Sequence, residues 1–339
     1  MNPKYIKLDI NNFFLYLNSV GGHSLFIEIS PQYLIKSSNE NEINFYLSNL
    51  HLKSYYCPSF VGVINEDSEQ FHIIEIYVNQ CKTFFRNFVK KLKIKSNDID
   101  IEDDIKFKDT FENFISESDR FLNLNSSFNK LEEILMYYYN NSKNKLKWIL
   151  FSFIKWGDHF LSHKFIILQN LTYNMKNPAI LDIKLGSAPK ISKDNHTIKK
   201  YEGASKEIGC RIMGIQKGNI FKNRYDTKHY SLKQFKNEIS AFFKFNHFLI
   251  TKTINKSLSV IREFEMNVKV NVNFSSLLIV YDDINNNQNI DINLIDFAFL
   301  GEYNKSNITN DLISSIKKFI HILKEFQKNE KTNYICKRE

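Results

Sequence analysis

Asp182 and Lys184 stand two residues apart in the run Pro178-Ala179-Ile180-Leu181-Asp182-Ile183-Lys184-Leu185-Gly186. In a strand, residues i and i+2 share a face. An acid and a base then converge on one site while Ile183 and Leu185 turn to the core. Opposite charges on a mostly apolar strand are costly unless they have partners or a task. An isolated Asp-x-Lys is ordinarily a surface ion pair of little worth, but other residues of this chain point to a task. Phosphoryl transfer from a nucleotide needs a lysine on the phosphates, a carboxylate orienting it, a carboxylate on a divalent metal, and cations around the acceptor. Lys36 ends an expected strand, and Glu42 lies early in the helix expected after it. Asp296 closes the apolar pair Leu294-Ile295 ahead of Phe297-Ala298, where a strand end fixes the carboxylate and the turn leaves room for an ion. Taken singly, Lys36 is a surface lysine and Asp296 a turn aspartate. Their order around the Asp-x-Lys strand is what suggests a phosphoryl-transfer site.

These residues need elements to position them. Strands are expected at Ser24–Ile29 and Gln32–Lys36, turning at Ser30-Pro31, with Ser37-Ser38-Asn39 capping a helix from Glu40 to Leu50. Further strands are expected at Pro58–Ile64 and Phe71–Val78. Residues 79–163 lose strand alternation and read as an insertion, largely helical and partly mobile. It holds a helix over Phe128–Tyr139 and a packed C-terminal part with Trp148 and Trp156. Strands follow at Lys164–Leu171 and Arg211–Gln216, and a hairpin at Ser275–Asp282 and Ile292–Phe299 around Asn285–Asn289. Helices are expected at Ser231–Asn246, Thr253–Val268 and Asp311–Phe326. The pattern is α+β in two lobes. Residues 1–78 and 164–174 form the first, 175–330 the second, and 331–339 a tail.

The 339 residues suffice for two lobes, and 43% hydrophobic content excludes global disorder. Four scattered cysteines without a C-x-x-C pair suggest neither a zinc site nor a disulfide framework. No apolar run reaches the length of a membrane span, and the N-terminus does not read as a signal peptide. A soluble monomer of cytosol or nucleus is expected. From Lys190 to Lys236 basic residues outnumber acidic ones about three to one. Beside the Asp-Lys strand that field suits a polyanionic partner, although a solvated lysine-rich face reads the same way.

The chain resembles the inositol polyphosphate kinase family, whose P-x-x-x-D-x-K-x-G signature is met by Pro178, Asp182, Lys184 and Gly186. Val20-Gly21-Gly22-His23, Lys36 with Glu42, and Pro58 to Val63 resemble the inositol hexakisphosphate kinase branch. Lys164 to Leu171 resembles the family's hinge. Gly209 to Gly214, Ser275 to Asp282 and Ile295 to Ala298 resemble its second lobe. The resemblance implies a two-lobed protein-kinase-like, ATP-grasp-like fold with the long insertion in the N-lobe. It implies ATP and Mg²⁺ as cofactors and an inositol polyphosphate as substrate, with no specific nucleic acid. By the same resemblance Lys36 and Glu42 serve the nucleotide phosphates, and backbone groups at Gln169 and Leu171 bind adenine. Asp182 sits beside ribose and the reacting group, Lys184 bridges substrate and γ-phosphate, and Asp296 holds Mg²⁺. Lys193 and Lys200, in an inositol-phosphate-binding segment at 187–208, and Arg224 with Lys228 bind the substrate's phosphates.

The chain departs from the family where Gln169 replaces an acid, Phe299 a substrate-contacting histidine, and Asp311 and Ser315 glycines. His23 and His196 read as structural or peripheral. The expected reaction converts inositol hexakisphosphate to a diphosphoinositol pentakisphosphate. A multikinase acting on tris- and tetrakisphosphates is the alternative, as is a polyphosphate-binding protein with weakened catalysis. A nucleic-acid-binding role is disfavoured, because the aromatics of the basic stretch form no recognisable module.

Overall fold

The computed structural model describes residues 8–20, 25–49, 56–99, 107–116, 127–161, 164–186, 190–191, 198–199, 203–244, 246–268, 271–273, 275–284, 290–301 and 309–335. Its strands are β1 Phe14–Leu15, β2 Phe26–Ser30, β3 Tyr33–Ser38, β4 Phe60–Ile64, β5 Lys164–Gln169, β6 Pro178–Leu185, β7 Lys190–Ile191, β8 Ile198–Lys199, β9 Cys210–Lys217, β10 Ile220–Lys222, β11 Asn271–Asn273, β12 Ser276–Asp282, β13 Ile290–Ile295 and β14 Phe299–Gly301. The fold is α+β. Its helices are α1 Glu40–Ser48, α2 Glu69–Leu92, α3 Ser96–Ile99, α4 Phe107–Ser116, α5 Ser127–Asn141, α6 Lys143–Phe160, α7 Ala204–Ile208, α8 Arg224–Thr227, α9 Leu232–Phe243, α10 His247–Asn267 and α11 Thr309–Ile335. No helix among the described residues is long and apolar enough to cross a membrane.

Two compact units emerge, and they do not follow chain order. One comprises residues 1–39, 59–174 and 219–225; the other comprises 40–58, 175–218 and 226–339. Helix α1, expected in the first lobe, therefore packs with the second unit.

In the first unit β1-β2-β3-β5-β4 form an antiparallel sheet. Where a strand was expected over Phe71–Val78, the chain is helical throughout α2, and a boundary at residue 78 falls inside that helix. The β-branched residues of this stretch mimic a strand, but burial follows helical spacing. Ile74, Tyr77, Val78, Cys81, Phe85 and Phe88 are buried while Ile76 is exposed. Ser68 starts the helix by accepting a hydrogen bond from the Phe71 N–H, and Lys93 ends it in the left-handed region. The insertion helices pack through aromatic pairs: Phe85 lies 4.5 Å from Phe153, Phe107 4.7 Å from Phe151, and Phe160 4.9 Å from Phe165 of β5.

Lys145 of α6 is buried in this unit, its Nζ 4.8 Å from the Phe221 ring and 5.8 Å from Tyr138. Burial pushes its ammonium from the ordinary 10.5 down to about 7. Between these values the unfolded chain holds a proton that the folded chain lacks, so stability rises with pH across that window. Lys145→Met is expected to flatten the slope and to add on the order of 1–3 kcal/mol at pH 7. Urea denaturation at pH 7 and pH 9 measures both; an unchanged slope in the variant would contradict the assignment.

In the second unit β9, β6, β12 and β13 lie side by side in that order, each neighbouring pair antiparallel. Helices α10 and α11 belong to this unit; α10 starts at His247, six residues before the expected Thr253, because Asn246 caps it by accepting from the Leu249 N–H. Ser231 and Gln234 form a reciprocal capping box on α9. Strand β13 stops at Ile295 rather than running to Phe299. Asp296 takes a left-handed backbone (φ +64°) that breaks the ladder, and Phe299 starts a separate strand paired to β11. Cys57, Cys81 and Cys210 are buried free thiols. The Gly21–His23 segment, His196, Lys193, Lys200 and the Asn285–Asn289 turn lie outside the described residues.

Candidate active site

Strand β6 sits between β9 and β12, which explains its near-continuous apolar run: such a strand is buried on both faces. Ala179, Leu181, Ile183 and Leu185 are fully buried, and Asp182 nearly so, while Lys184 keeps partial exposure. The ladder sets Lys184 opposite Ser276 on β12 and opposite Arg211 on β9, with an irregularity on the β9 side between Asp182 and Ile183. The strand ends at Gly186 (φ +103°), whose N–H donates to the Gly209 carbonyl at 2.8 Å and to Ser315 Oγ at 3.3 Å. A Cβ added there would lie 3.3 Å from Asp311 Oδ2. The two positions that depart from the family's glycines thus both border Gly186.

Asp296 comes to the site from β13. Its left-handed conformation is uncommon for a residue with a Cβ and tolerated best by Asp and Asn. Neighbouring groups hold it. The Ser275 hydroxyl donates to the Asp296 carbonyl at 3.0 Å, and the Asn41 side-chain amide of α1 donates to the Ala298 carbonyl at 3.2 Å. Phe297 is fully buried, stacked 3.7 Å from Phe45 and met edge-on by Tyr46 at 5.5 Å. Burial first, then Cys57, Glu42 and Asp296, hold the Tyr46 hydroxyl well above its usual range. Helix α1 therefore carries Glu42 into the surroundings of Asp296. Phe45→Ala is expected to cost about 3–5 kcal/mol in urea denaturation, since the ring is fully enclosed. A loss under 1 kcal/mol would mean that the stack does not anchor the Asp-Phe-Ala segment.

The charges are coupled. Lys184 Nζ lies 3.9 Å from Asp296 Oδ2, with side chains 17% and 31% exposed. Burial and then the Asp296 carboxylate push the Asp182 carboxyl from 3.8 up to about 6, against pulls from Lys184, the nearby Ser276 hydroxyl and Arg211. The Ser276 approach falls short of a hydrogen bond, for Asp182 Oδ1 and Ser276 Oγ are both buried without a partner. A buried, partnerless carboxylate oxygen near a second, partly exposed carboxylate suits a divalent cation, which takes one or two carboxylates and completes its shell with water and phosphate oxygens. Among the described residues no group of three or more His, Cys, Asp or Glu is placed to hold a metal ion. Asp182 itself, with its pKa near working pH, is suited to accept a proton.

The structure thus brings Asp182, Lys184, Asp296 and the helix of Glu42 together in the second unit. Lys36 is buried on β3 of the first unit, paired in register with Ile166. Gln169 ends β5, its N–H already donated to the Ser59 carbonyl at 2.9 Å, and Leu171 lies in the turn after it. Arg224 belongs to the first unit, stacked 4.5 Å over the Tyr225 ring; half-buried Lys228 belongs to the second. Sequence reasoning missed Asn41, Phe45, Ser275 and the placement of Arg211. Arg211 was legible only as one of many basic residues, because its position opposite Lys184 depends on cross-strand register.

Comparison with known proteins bears on this constellation. The sequence profile described as inositol polyphosphate kinase matches residues 165–324, which contain the Asp-x-Lys strand and Asp296. The inositol polyphosphate multikinase of Schizosaccharomyces pombe is 26% identical over 192 residues, covering 50% of this chain and 71% of that protein. Inositol hexakisphosphate kinase 2 of Homo sapiens is 29% identical over 140 residues, 37% of this chain but only 33% of the kinase. Among solved structures, the inositol phosphate multikinase of S. cerevisiae in complex with ADP and Mn²⁺ aligns at 22% identity with a TM-score of 0.42, covering 49% of this chain and 85% of that one. Residues 165–324, a little under half of the chain, are thus similar to the inositol polyphosphate kinase family.

Proposed function

We propose that the protein is an ATP- and Mg²⁺-dependent kinase whose acceptor is a highly phosphorylated inositol, with inositol hexakisphosphate converted to a diphosphoinositol pentakisphosphate. The observation that carries this reading is the coupling of Asp182, Lys184 and Asp296 within a segment similar to the kinase family. In the reaction an acceptor oxygen bonds to the γ-phosphorus as the bond to the β–γ bridging oxygen breaks and ADP leaves. Bound metal would neutralise phosphate charge and hold the leaving group. Asp296 is assigned to hold it, with Asp182 beside the ribose and the reacting oxygen. Lys184 stabilises the charge on the transferring phosphoryl group. Lys36 and Glu42 serve the nucleotide phosphates, and backbone groups at Gln169 and Leu171 serve adenine. Lys193, Lys200, Arg224 and Lys228 serve the acceptor's phosphates.

A multikinase acting on tris- and tetrakisphosphates is the second reading, favoured by the 71% of the S. pombe multikinase's own length that this chain covers. The two differ chemically at Asp182. A hydroxyl acceptor must lose a proton, whereas a phosphate oxygen is ionised at neutral pH. A third reading, a binding protein with weakened catalysis, draws on Phe299, which stands 48% exposed where the family resemblance implies a histidine. Incubation with ATP, Mg²⁺ and each inositol phosphate, resolved by anion-exchange chromatography, separates them. A diphosphoinositol product from hexakisphosphate is expected. Turnover of lower inositol phosphates alone supports the second reading, and binding without ATP consumption the third.

A further inference from the structure

Helix α11 turns Leu312, Ile316, Phe319, Ile320 and Leu323 to the core of the second unit, all of them buried. Around the helix from that stripe, Ile313 and Ile322 floor a groove of about 610 Å³, together with Ile208 of α7 and Leu232 of α9. The α11 side of the groove runs from Ile313 to Glu325, about 18 Å at the helical rise. Spread over three turns, that volume makes a shallow trough, unlike the enclosing cavity that a small ligand takes. Its walls are helices, whose backbone groups are satisfied internally, so an extended strand has no edge to add to. A further helix, laying a row of apolar side chains into the trough, suits both its length and its floor.

Charge selects the kind of helix. Lys236, Lys317 and Lys318 line the groove against one carboxylate, Glu325. Glu325 is already engaged: Lys236 Nζ donates to it at 2.6 Å, and His321 Nε2 lies 3.4 Å away. The Lys236 hydrogen bond holds the Glu325 carboxyl below its usual range. Lys317 stands 3.6 Å from Glu265, with the two side chains 60% and 48% exposed, a pair that solvent screens and a partner can replace. The lining therefore carries a surplus of positive charge, which favours acidic flanks on whatever docks there.

We infer that this groove docks an amphipathic acidic helix of a partner protein, its apolar side chains on the isoleucine floor and its carboxylates at Lys317 and Lys318. None of the groove residues belongs to the proposed phosphoryl-transfer site, so the inference stands apart from the kinase reading.

The test uses the full chain and a fluorescent peptide of about 18 residues, long enough to hold a helix, with leucines at helical spacing flanked by glutamates. Fluorescence anisotropy should show micromolar binding, weakened about tenfold in Lys317→Glu/Lys318→Glu and in Leu232→Glu. Lys95→Glu/Lys108→Glu, which makes the same charge change at exposed positions of the first unit, should stay within about twofold of wild type. Melting temperatures of all variants confirm that they fold. Equal weakening in the Lys95→Glu/Lys108→Glu control, or equal binding of a peptide with lysine in place of every glutamate, overturns the inference. So does a wild type that does not bind the acidic peptide. Sedimentation adds the remaining arm: self-association of the wild type that Lys317→Glu/Lys318→Glu abolishes would give the face to a second copy of this chain and overturn the partner helix.

Discussion

Lys184→Ala is expected to lower kcat by about 10²–10³, the usual loss when one preorganised group facing the developing charge is removed. Nucleotide affinity should stay within about threefold. The ammonium is mostly buried and 3.9 Å from Asp296 Oδ2, where its field is screened less than at the surface. Removing it also takes away a pull that opposes the rise of the Asp182 carboxyl. In the variant that carboxyl should therefore titrate higher than in the wild type. Calorimetry with ADP and steady-state kinetics with the accepted inositol phosphate measure the two effects separately. A variant with kcat within threefold of wild type would remove Lys184 from the reaction, and a joint collapse of nucleotide affinity would recast it as a nucleotide ligand.

Asp182→Asn should separate stability from activity. In the metal-free protein the folded carboxyl titrates at about 6 against an ordinary 3.8. A raised acid favours the folded state fully below the unfolded value, and that contribution is lost as pH rises through the folded one. Above pH 7 the buried carboxylate is consequently a burden of about 2–3 kcal/mol, which the neutral amide relieves. Asp182→Asn is expected to be more stable than wild type at pH 8 and to lose that advantage near pH 4. Turnover of a hydroxyl acceptor should fall by about 10²–10⁴, the usual worth of a general base, and that of a phosphate acceptor by less. Chemical denaturation at the two pH values, without metal, reads the stability arm. An advantage that is equal at pH 4 and pH 8 would mean that Asp182 is not the group under strain. Groups tuned for a reaction are commonly destabilising where they stand.

Much of the site was legible because its signals are short-range. The period of two in β6 puts Asp182 and Lys184 on one face whatever surrounds the strand, and the left-handed glycine after it is the break that Gly186 announced. The α2 helix was not legible. Ile73, Ile74, Ile76 and Val78 carry strand propensity, which yields to tertiary burial of one helical stripe. Nor was the end of β13, since nothing local forces Asp296 into a left-handed backbone. That conformation is held by Ser275 and by the packing of Phe297 under α1.

By itself, then, the amino-acid order determined the α+β class and the strand bearing the acid–base pair, and it pointed to phosphoryl transfer as the chemistry to propose. Local periodicity and motif spacing are sufficient for those. Only the tertiary structure decided that Asp296 meets Lys184 across more than a hundred residues of chain, that Arg211 stands opposite Lys184, and that α1 braces the Asp-Phe-Ala segment. Register between distant strands and the loss of water around a charge depend on partners far away in sequence, and those contacts set the proton affinity of Asp182.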